Sequence, residues 1–171
     1  MTRYEVVYGL PASGKSSYAV GLMDIDQSFK FGTSSRFLET VLLNFGSMSR
    51  HERDNRGIGL RFKRVTLSGV IDDIKAVEDP TLLLDEWTSF FYSSMFWSEE
   101  MTRARISEIF SALDGNPRLE RTIFICSYGH THLPFRLYKK KAIWNKILFA
   151  RADSITKVEY GIPIRIVTNG S

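Results

Sequence analysis

The chain has 171 residues, of which 43% are hydrophobic and 25% charged, and its formal net charge at pH 7 is +4. These values are typical of one globular domain, residues 1–171, that is long enough to bury a core. The mild positive charge suits a polyanionic small molecule and does not require nucleic acid.

Cysteine content and hydropathy narrow the cellular setting. Cys126 is the single cysteine, which excludes an internal disulfide and is typical of a core residue in a reducing compartment. No apolar run approaches the roughly 18–20 residues that span a bilayer. Because the chain begins with a predicted strand and a glycine-rich loop, we expect no signal peptide. We therefore expect a cytoplasmic protein without a membrane partner.

A glycine-rich segment near the start, Gly9–Ser16, reads G-x-x-x-x-G-K-S. This is the phosphate-binding pattern of P-loop nucleotide enzymes. It follows Tyr4–Tyr8, whose aromatic and β-branched residues predict a buried strand, and it precedes Ser16–Met23, which can continue as a helix. Strand, loop and helix in this order favour nucleotide binding over an ordinary glycine-rich turn with a surface lysine.

Each part of the phosphate loop has a predicted role. Gly9 and Gly14 permit positive φ, so that backbone N–H groups can close around an anion. Lys15 is predicted to meet the β- and γ-phosphates, and the Ser16 hydroxyl to hold Mg²⁺. The predicted ligands are ATP or GTP with Mg²⁺. The predicted contacts are Gly9, Leu10, Pro11, Ala12, Ser13, Gly14, Lys15, Ser16 and Ser17.

Predicted strands and helices alternate along the rest of the chain. Further strands are expected over 28–33, 61–67, 81–86, 122–126, 155–160 and 164–167, the last two joined at 161–163. Helices are expected over 37–45, 70–78, 106–113 and 137–148 from their apolar spacing. The aromatic run 87–97 is typical of a core or a subunit interface, so a homo-oligomer is one partner that we consider. The alternation predicts a three-layer α/β fold whose mostly parallel central sheet ends in an antiparallel hairpin.

The apolar run Thr81–Glu86 ends in two acids. A buried parallel strand of this kind delivers a carboxylate to the carboxyl edge of the sheet. Asp85 is therefore predicted to hold Mg²⁺, directly or through water. Glu86 has two interpretations: it orients an attacking water in a hydrolase, or it is indirect or merely exposed in a kinase.

Basic residues concentrate in two places. Residues 50–64 carry six arginines and lysines against two acids, and His51 lies among them. A lone histidine on a basic helix face is usually solvated, but flanking arginines would also favour the neutral imidazole that a nucleophile needs. Lys139–Lys141 is predicted to lie mostly opposite the apolar face of its helix. His130 and His132 have no nearby Cys or acid to complete a metal site, so we expect them to face a ligand or a subunit.

The order of these features resembles the adenosylcobinamide kinase/adenosylcobinamide-phosphate guanylyltransferase family of cobalamin biosynthesis. The resemblance is carried by the phosphate loop, the basic segment with its histidine, Leu83–Thr88, and 150–165. It implies a RecA-like P-loop fold and an enzyme that phosphorylates a small-molecule hydroxyl with ATP or GTP and then transfers GMP through a histidine. The implied catalytic residues are Lys15, Asp85 and His51, and the implied metal ligands are Ser16 and Asp85.

Two other functions stay open. A motor-type ATPase acting with nucleic acid would use Asp85 as metal ligand and Glu86 as water-orienting base, and would account for the basic stretches. Such motors usually have more chain around the core. A nucleotide-binding relative without catalysis would account for Ile125–Gly129, which lacks the Asn and Glu that the family carries after this strand.

Overall fold

The computed structural model describes residues 2–34, 60–128 and 135–168. Within these ranges seven strands form one sheet, in the order β3-β2-β4-β5-β1-β6-β7. The strands are β1 (Arg3–Gly9), β2 (Ser28–Ser34), β3 (Arg61–Thr66), β4 (Thr81–Asp85), β5 (Arg121–Ser127), β6 (Ser154–Glu159) and β7 (Ile162–Thr168). The helices are α1 (Lys15–Gly21), α2 (Val70–Lys75), α3 (Ser89–Ser93), α4 (Glu99–Gly115) and α5 (Phe135–Arg151), and a 3₁₀ turn covers Ile25–Gln27.

The sheet is parallel except at its last strand. β1 to β6 pair in parallel, and β7 runs antiparallel to β6. Helix α1 packs on one face through Ala19, whereas α2 to α5 cover the other face. This arrangement confirms the predicted three-layer α/β fold, with a mostly parallel central sheet that ends in an antiparallel hairpin. It also places β5 between the strand of the phosphate loop and the strand of Asp85, so that all three end at one edge.

The larger core lies between the sheet and α2 to α5, and its centre is aromatic. The rings of Trp87 and Trp144 lie 4.9 Å apart and are fully buried. Trp87 Nε1 donates to the Trp144 carbonyl at 3.3 Å, and Trp144 Nε1 donates to Ser94 Oγ at 2.9 Å. These bonds fasten α5 to the segment that follows β4. The core interpretation of the aromatic run is confirmed for its buried members, although Phe96 is 91% exposed.

Helix α4 shows how local sequence sets an element. Ser98 caps it by accepting a hydrogen bond from the Met101 N–H at 3.1 Å, and two glutamates occupy the first turn, where the helix dipole favours negative charge. Its apolar residues recur on one face, which is buried. The helix runs from Glu99 to Gly115, so it begins seven residues before and ends two residues after the predicted range 106–113.

The C-terminal hairpin turns earlier than predicted. The turn residues are Tyr160 and Gly161, with φ of 50° and 79°, and Ile162 and Pro163 belong to β7. Two successive positive φ values are the geometry that best matches the twist of a hairpin, and β7 is an edge strand, where proline is tolerated.

The predicted helix over 37–45 lies outside the described residues. Across the described ranges, no helix is both long and apolar enough to cross a membrane.

Candidate functional site

The phosphate loop joins β1 to α1, as predicted. Gly14 and Ala12 adopt left-handed conformations, with φ of 89° and 60°. A Cβ on Gly9 would lie 2.4 Å from Ser13 Oγ and 2.5 Å from the carbonyl oxygen of Val158. In this loop conformation only glycine therefore fits at position 9. Ser13 Oγ is buried and has no hydrogen-bond partner in the described ranges.

Neighbouring elements hold the loop from two sides. The Gly161 N–H donates to the Ser13 carbonyl at 2.8 Å, and the Tyr128 N–H donates to the Gly9 carbonyl at 3.2 Å. A Cβ on Gly14 would lie 3.2 Å from Gly161 Cα. The loop is thus fastened to the β6–β7 turn and to the end of β5.

Lys15 is placed to meet an anion. Its side chain is buried, and its Nζ donates to the Leu10 carbonyl of the same loop at 3.2 Å. This is a long bond to a neutral acceptor, which a phosphate oxygen would replace with a charged one. The left-handed backbone, the unpartnered Ser13 hydroxyl and the Lys15 ammonium together fit a phosphate group.

Asp85 has a partner that sequence analysis missed. Lys30 Nζ, on the neighbouring strand β2, lies 2.7 Å from Asp85 Oδ2, and both residues are buried. The available signal was a lysine between Phe29 and Phe31 in a predicted strand. A buried lysine is rare unless it is paired, so its position pointed to an acidic neighbour.

The residues available for Mg²⁺ are few. In the described part of the chain, no group of three or more His, Cys, Asp or Glu side chains could hold a metal ion. An ion at this edge would rely on the Ser16 hydroxyl and the Asp85 carboxylate, and would complete its shell from phosphate oxygens and water. Mg²⁺ at nucleotide sites is commonly held by one or two carboxylates together with phosphate oxygens and water, so Ser16 and Asp85 stay the predicted ligands.

Glu86 is held by three hydrogen bonds. The Ser127 N–H donates to Oε1 at 2.8 Å, the Ser127 hydroxyl donates to Oε2 at 2.5 Å, and the Thr88 hydroxyl also donates to Oε1. The peptide bond between Asp85 and Glu86 is cis. Because its carboxylate is oriented by the end of β5, Glu86 is not merely an exposed residue, which favours a chemical role.

A cavity of about 230 Å³ opens beside this carboxylate, and we call it the Glu86 cavity. It reaches from the phosphate loop to α5. Its lining residues are Pro11, Glu86, Thr88, Ser89, Phe91, Tyr92, Ser127 and Lys141.

Lys141 corrects one prediction. The three lysines were expected mostly on the solvent face of α5, but Lys141 is only 7% exposed and lines the cavity. It precedes Trp144 by three positions, and residues with this spacing share a helix face. Lys140 is also engaged, because its Nζ donates to the carbonyls of Met95, at 2.7 Å, and of Trp97.

The pKa of the Cys126 thiol responds to four charged side chains near the end of β5. Burial raises this pKa well above its usual value, and Glu86 and Asp85 raise it further, while Lys15 and Lys141 lower it. Two acids and two lysines therefore surround the end of β5. Burial also lowers the pKa of Lys141, against the opposing attraction of Glu86.

The basic stretch is only partly described. His51 and the arginines at 50, 53 and 56 lie outside the described residues, as do His130 and His132, so their roles stay predictions. Arg61 pairs with Asp79, and Lys63 Nζ lies 2.6 Å from Asp73 Oδ1. The nucleic-acid alternative therefore stays a prediction.

Comparisons of the chain with protein-family models and with curated proteins gave no match. Among solved structures, the chain is similar to a KaiC-like protein of the hyperthermophilic archaeon Pyrococcus horikoshii. The TM-score is 0.47 and the sequence identity 14%, over 91% of this chain and 70% of that chain.

Proposed function

We propose that this protein binds a nucleoside triphosphate with Mg²⁺ at the phosphate loop and transfers the γ-phosphoryl group to a hydroxyl held in the Glu86 cavity. One observation carries the proposal. The Glu86 carboxylate, oriented by Ser127 and Thr88, faces a cavity whose wall includes Pro11 of the phosphate loop. This shared cavity supports a role for Glu86 as general base beside a phosphate bound at the loop.

The chemistry divides among a few residues. Lys15 and the loop N–H groups would bind the β- and γ-phosphates and offset the charge that develops on them. Ser16 and Asp85 would hold Mg²⁺, which supplies further neutralisation of phosphate charge. Glu86 would accept the proton of the acceptor hydroxyl while the hydroxyl oxygen bonds to the γ-phosphorus. The bond from that phosphorus to the β–γ bridging oxygen breaks, and the nucleoside diphosphate leaves.

The size of the cavity favours transfer over hydrolysis. A single water occupies about 30 Å³ in the liquid, far less than the 230 Å³ of the Glu86 cavity. Two aromatic side chains, Phe91 and Tyr92, also line it, and they suit the carbon skeleton of a small organic acceptor. An ATPase that only positions water has no need of this space.

The test compares Glu86→Gln with Glu100→Gln, which alters an exposed glutamate on α4. ATP labelled in its γ-phosphate is incubated with Mg²⁺ and a panel of small alcohols, and the label on each alcohol is measured. We expect Glu86→Gln to lower transfer by about 10²–10⁴-fold, the usual contribution of a general base, with ATP affinity unchanged. Label released only as inorganic phosphate, at equal rates in both variants, would overturn the proposal.

The acceptor and the second activity that the resemblance implies remain predictions. GMP transfer would leave GMP on His51 after incubation with GTP and Mg²⁺. Intact-mass measurement of the wild type and of His51→Ala tests this independently of the Glu86 variants.

A further inference from the structure

We propose that Lys141 binds an anionic group of the acceptor, so that the substrates of the Glu86 cavity are small hydroxy compounds carrying a carboxylate or a phosphate. This inference rests on the function proposed above and identifies its substrate class. It starts from a difference between the two charged residues of the cavity: Glu86 accepts several hydrogen bonds, whereas Lys141 makes none to described residues.

The negative charge of Glu86, in the cavity wall, is already compensated by hydrogen bonds. Glu86 accepts two hydrogen bonds from Ser127 and one from Thr88, and these donors compensate much of its negative charge. It is also the only acid among the described residues that line the cavity. A ligand has little room to offer Glu86 a cation without displacing these bonds.

The positive charge of Lys141 has no comparable hydrogen bonds from described residues. Lys141 is the only basic residue among the described residues that line the cavity, it is only 7% exposed, and no hydrogen bond joins it to a described residue. An ammonium has three donors, and burying it without acceptors is costly. Desolvation accordingly lowers the pKa of Lys141. An anionic ligand group would supply charge-assisted hydrogen bonds at this point.

Lys141 is mounted rigidly. The next residue along the buried face, Trp144, packs against Trp87 and donates its indole N–H to Ser94. The preceding residue, Lys140, donates to the carbonyls of Met95 and Trp97. Because α5 is fastened on both sides of Lys141, the position of this residue in the cavity wall is fixed. A preorganised charge of this kind serves selectivity better than a mobile surface lysine.

The positions of the charges also set the orientation of the ligand. Glu86 and Pro11 mark the side of the cavity next to the phosphate loop, where the reacting hydroxyl must lie. Lys141 comes from α5, which packs on the face of the sheet opposite to α1, the helix that follows the loop. An acceptor with its anion on Lys141 would therefore present its hydroxyl towards Glu86.

The experiment measures binding without nucleotide, so it does not depend on phosphoryl transfer. The probes are glycerol, glycerate, glycerol 3-phosphate and 3-amino-1,2-propanediol, which share a three-carbon skeleton and differ in charge. Their dissociation constants are measured by calorimetry or ligand-observed NMR for the wild type, Lys141→Met and Lys146→Met. Lys146 is the matched control, because it is an exposed lysine on the same helix.

We expect at least one anionic probe to bind the wild type about tenfold or more tighter than glycerol, the minimum for one charged hydrogen bond. Lys141→Met should abolish this preference, and Lys146→Met should keep it. Whether glycerate or glycerol 3-phosphate is preferred distinguishes a carboxylate from a phosphate. Equal binding of all probes, preference for the amine, or no binding of either anion would overturn the inference. So would a Lys141→Met variant that loses ATP affinity but keeps anion preference, since Lys141 would then belong to the nucleotide site.

Discussion

Lys30 Nζ and Asp85 Oδ2 lie 2.7 Å apart on neighbouring strands, with side chains only 3% and 10% exposed. The carboxylate that the sequence assigns to Mg²⁺ is thus oriented by an ammonium group of the same sheet. The pair gives Asp85 a fixed direction before any cation or nucleotide binds.

Breaking this pair should be costly. Lys30→Met leaves Asp85 buried without its cation, and removal of one partner of a buried pair typically costs about 3–5 kcal/mol. We expect a loss of this size in the free energy of unfolding, measured by urea denaturation. The double variant Lys30→Met/Asp85→Leu should recover much of the loss. The control is Lys63→Met, whose half-exposed pair with Asp73 should contribute less than about 1 kcal/mol.

Equal, small losses for Lys30→Met and Lys63→Met would contradict a structural role for the buried pair. Asp85→Asn tests the metal role, and because it also removes the partner of Lys30, its free energy of unfolding is compared with that of Lys30→Met. If Asp85 holds Mg²⁺, this variant should keep measurable ATP binding and lose Mg²⁺-dependent phosphoryl transfer, because an amide coordinates a hard cation poorly.

Lys15→Ala tests the phosphate loop. The variant loses the ammonium that would meet the β- and γ-phosphates, and a hydrogen bond to a charged group is worth about 1.5–3 kcal/mol. We expect ATP affinity to fall by about 10–100-fold in calorimetry. Lys75→Ala removes an exposed lysine at the end of α2 and should leave the affinity unchanged. Equal affinities in the two variants would remove the case for a nucleotide at this loop.

Two glycines at the ends of the same βα unit should respond in opposite ways to alanine. Gly9→Ala places a Cβ against Ser13 Oγ and the Val158 carbonyl, so the loop must shift and nucleotide affinity should fall. Gly21→Ala meets no atom within 4 Å and lies in α1. There alanine should be neutral or stabilise the protein by up to about 1 kcal/mol. Thermal unfolding with and without ATP measures both effects, and a tolerated Gly9→Ala would show that the loop closes differently.

The buried thiol of Cys126 predicts a pH profile. Burial, reinforced by Glu86, raises the pKa of this thiol, so at a given alkaline pH it holds less thiolate than a free cysteine. Each unit of upward shift should slow iodoacetamide labelling about tenfold. We expect labelling of the folded protein to begin at higher pH than labelling of the urea-unfolded chain, as followed by mass spectrometry. Coincident profiles would mean that Cys126 is accessible and unshifted.

The fold was predictable because its signals are local. Uninterrupted apolar runs such as Thr81–Asp85 are typical of strands buried on both faces, and the glycine pattern Gly9–Ser16 needs a strand before it and a helix after it. The hairpin turn was displaced because Tyr160 adopts a positive φ, which its residue type does not suggest.

Much of the candidate site was not predictable, because it depends on contacts between distant strands. Ser127 meets Glu86 only because β5 pairs with β4, and Lys30 meets Asp85 only because β2 lies on the other side of β4. Lys141 was hidden within a run of three lysines whose members differ in burial. Its three-residue spacing from Trp144 was the usable signal.

The hydrogen bond from Gly161 to Ser13 joins residues from opposite ends of the chain, so the site cannot be complete until most of the chain has been translated. The phosphate loop emerges early, but both strands that flank β1, namely β5 and β6, come from the second half of the sequence. A nascent chain can thus carry the whole G-x-x-x-x-G-K-S segment and still lack the partners that shape it. If the loop binds nucleotide as we propose, that ligand cannot act as a template for folding of the first half, because the loop gains its partners from β5 and the β6–β7 turn only later.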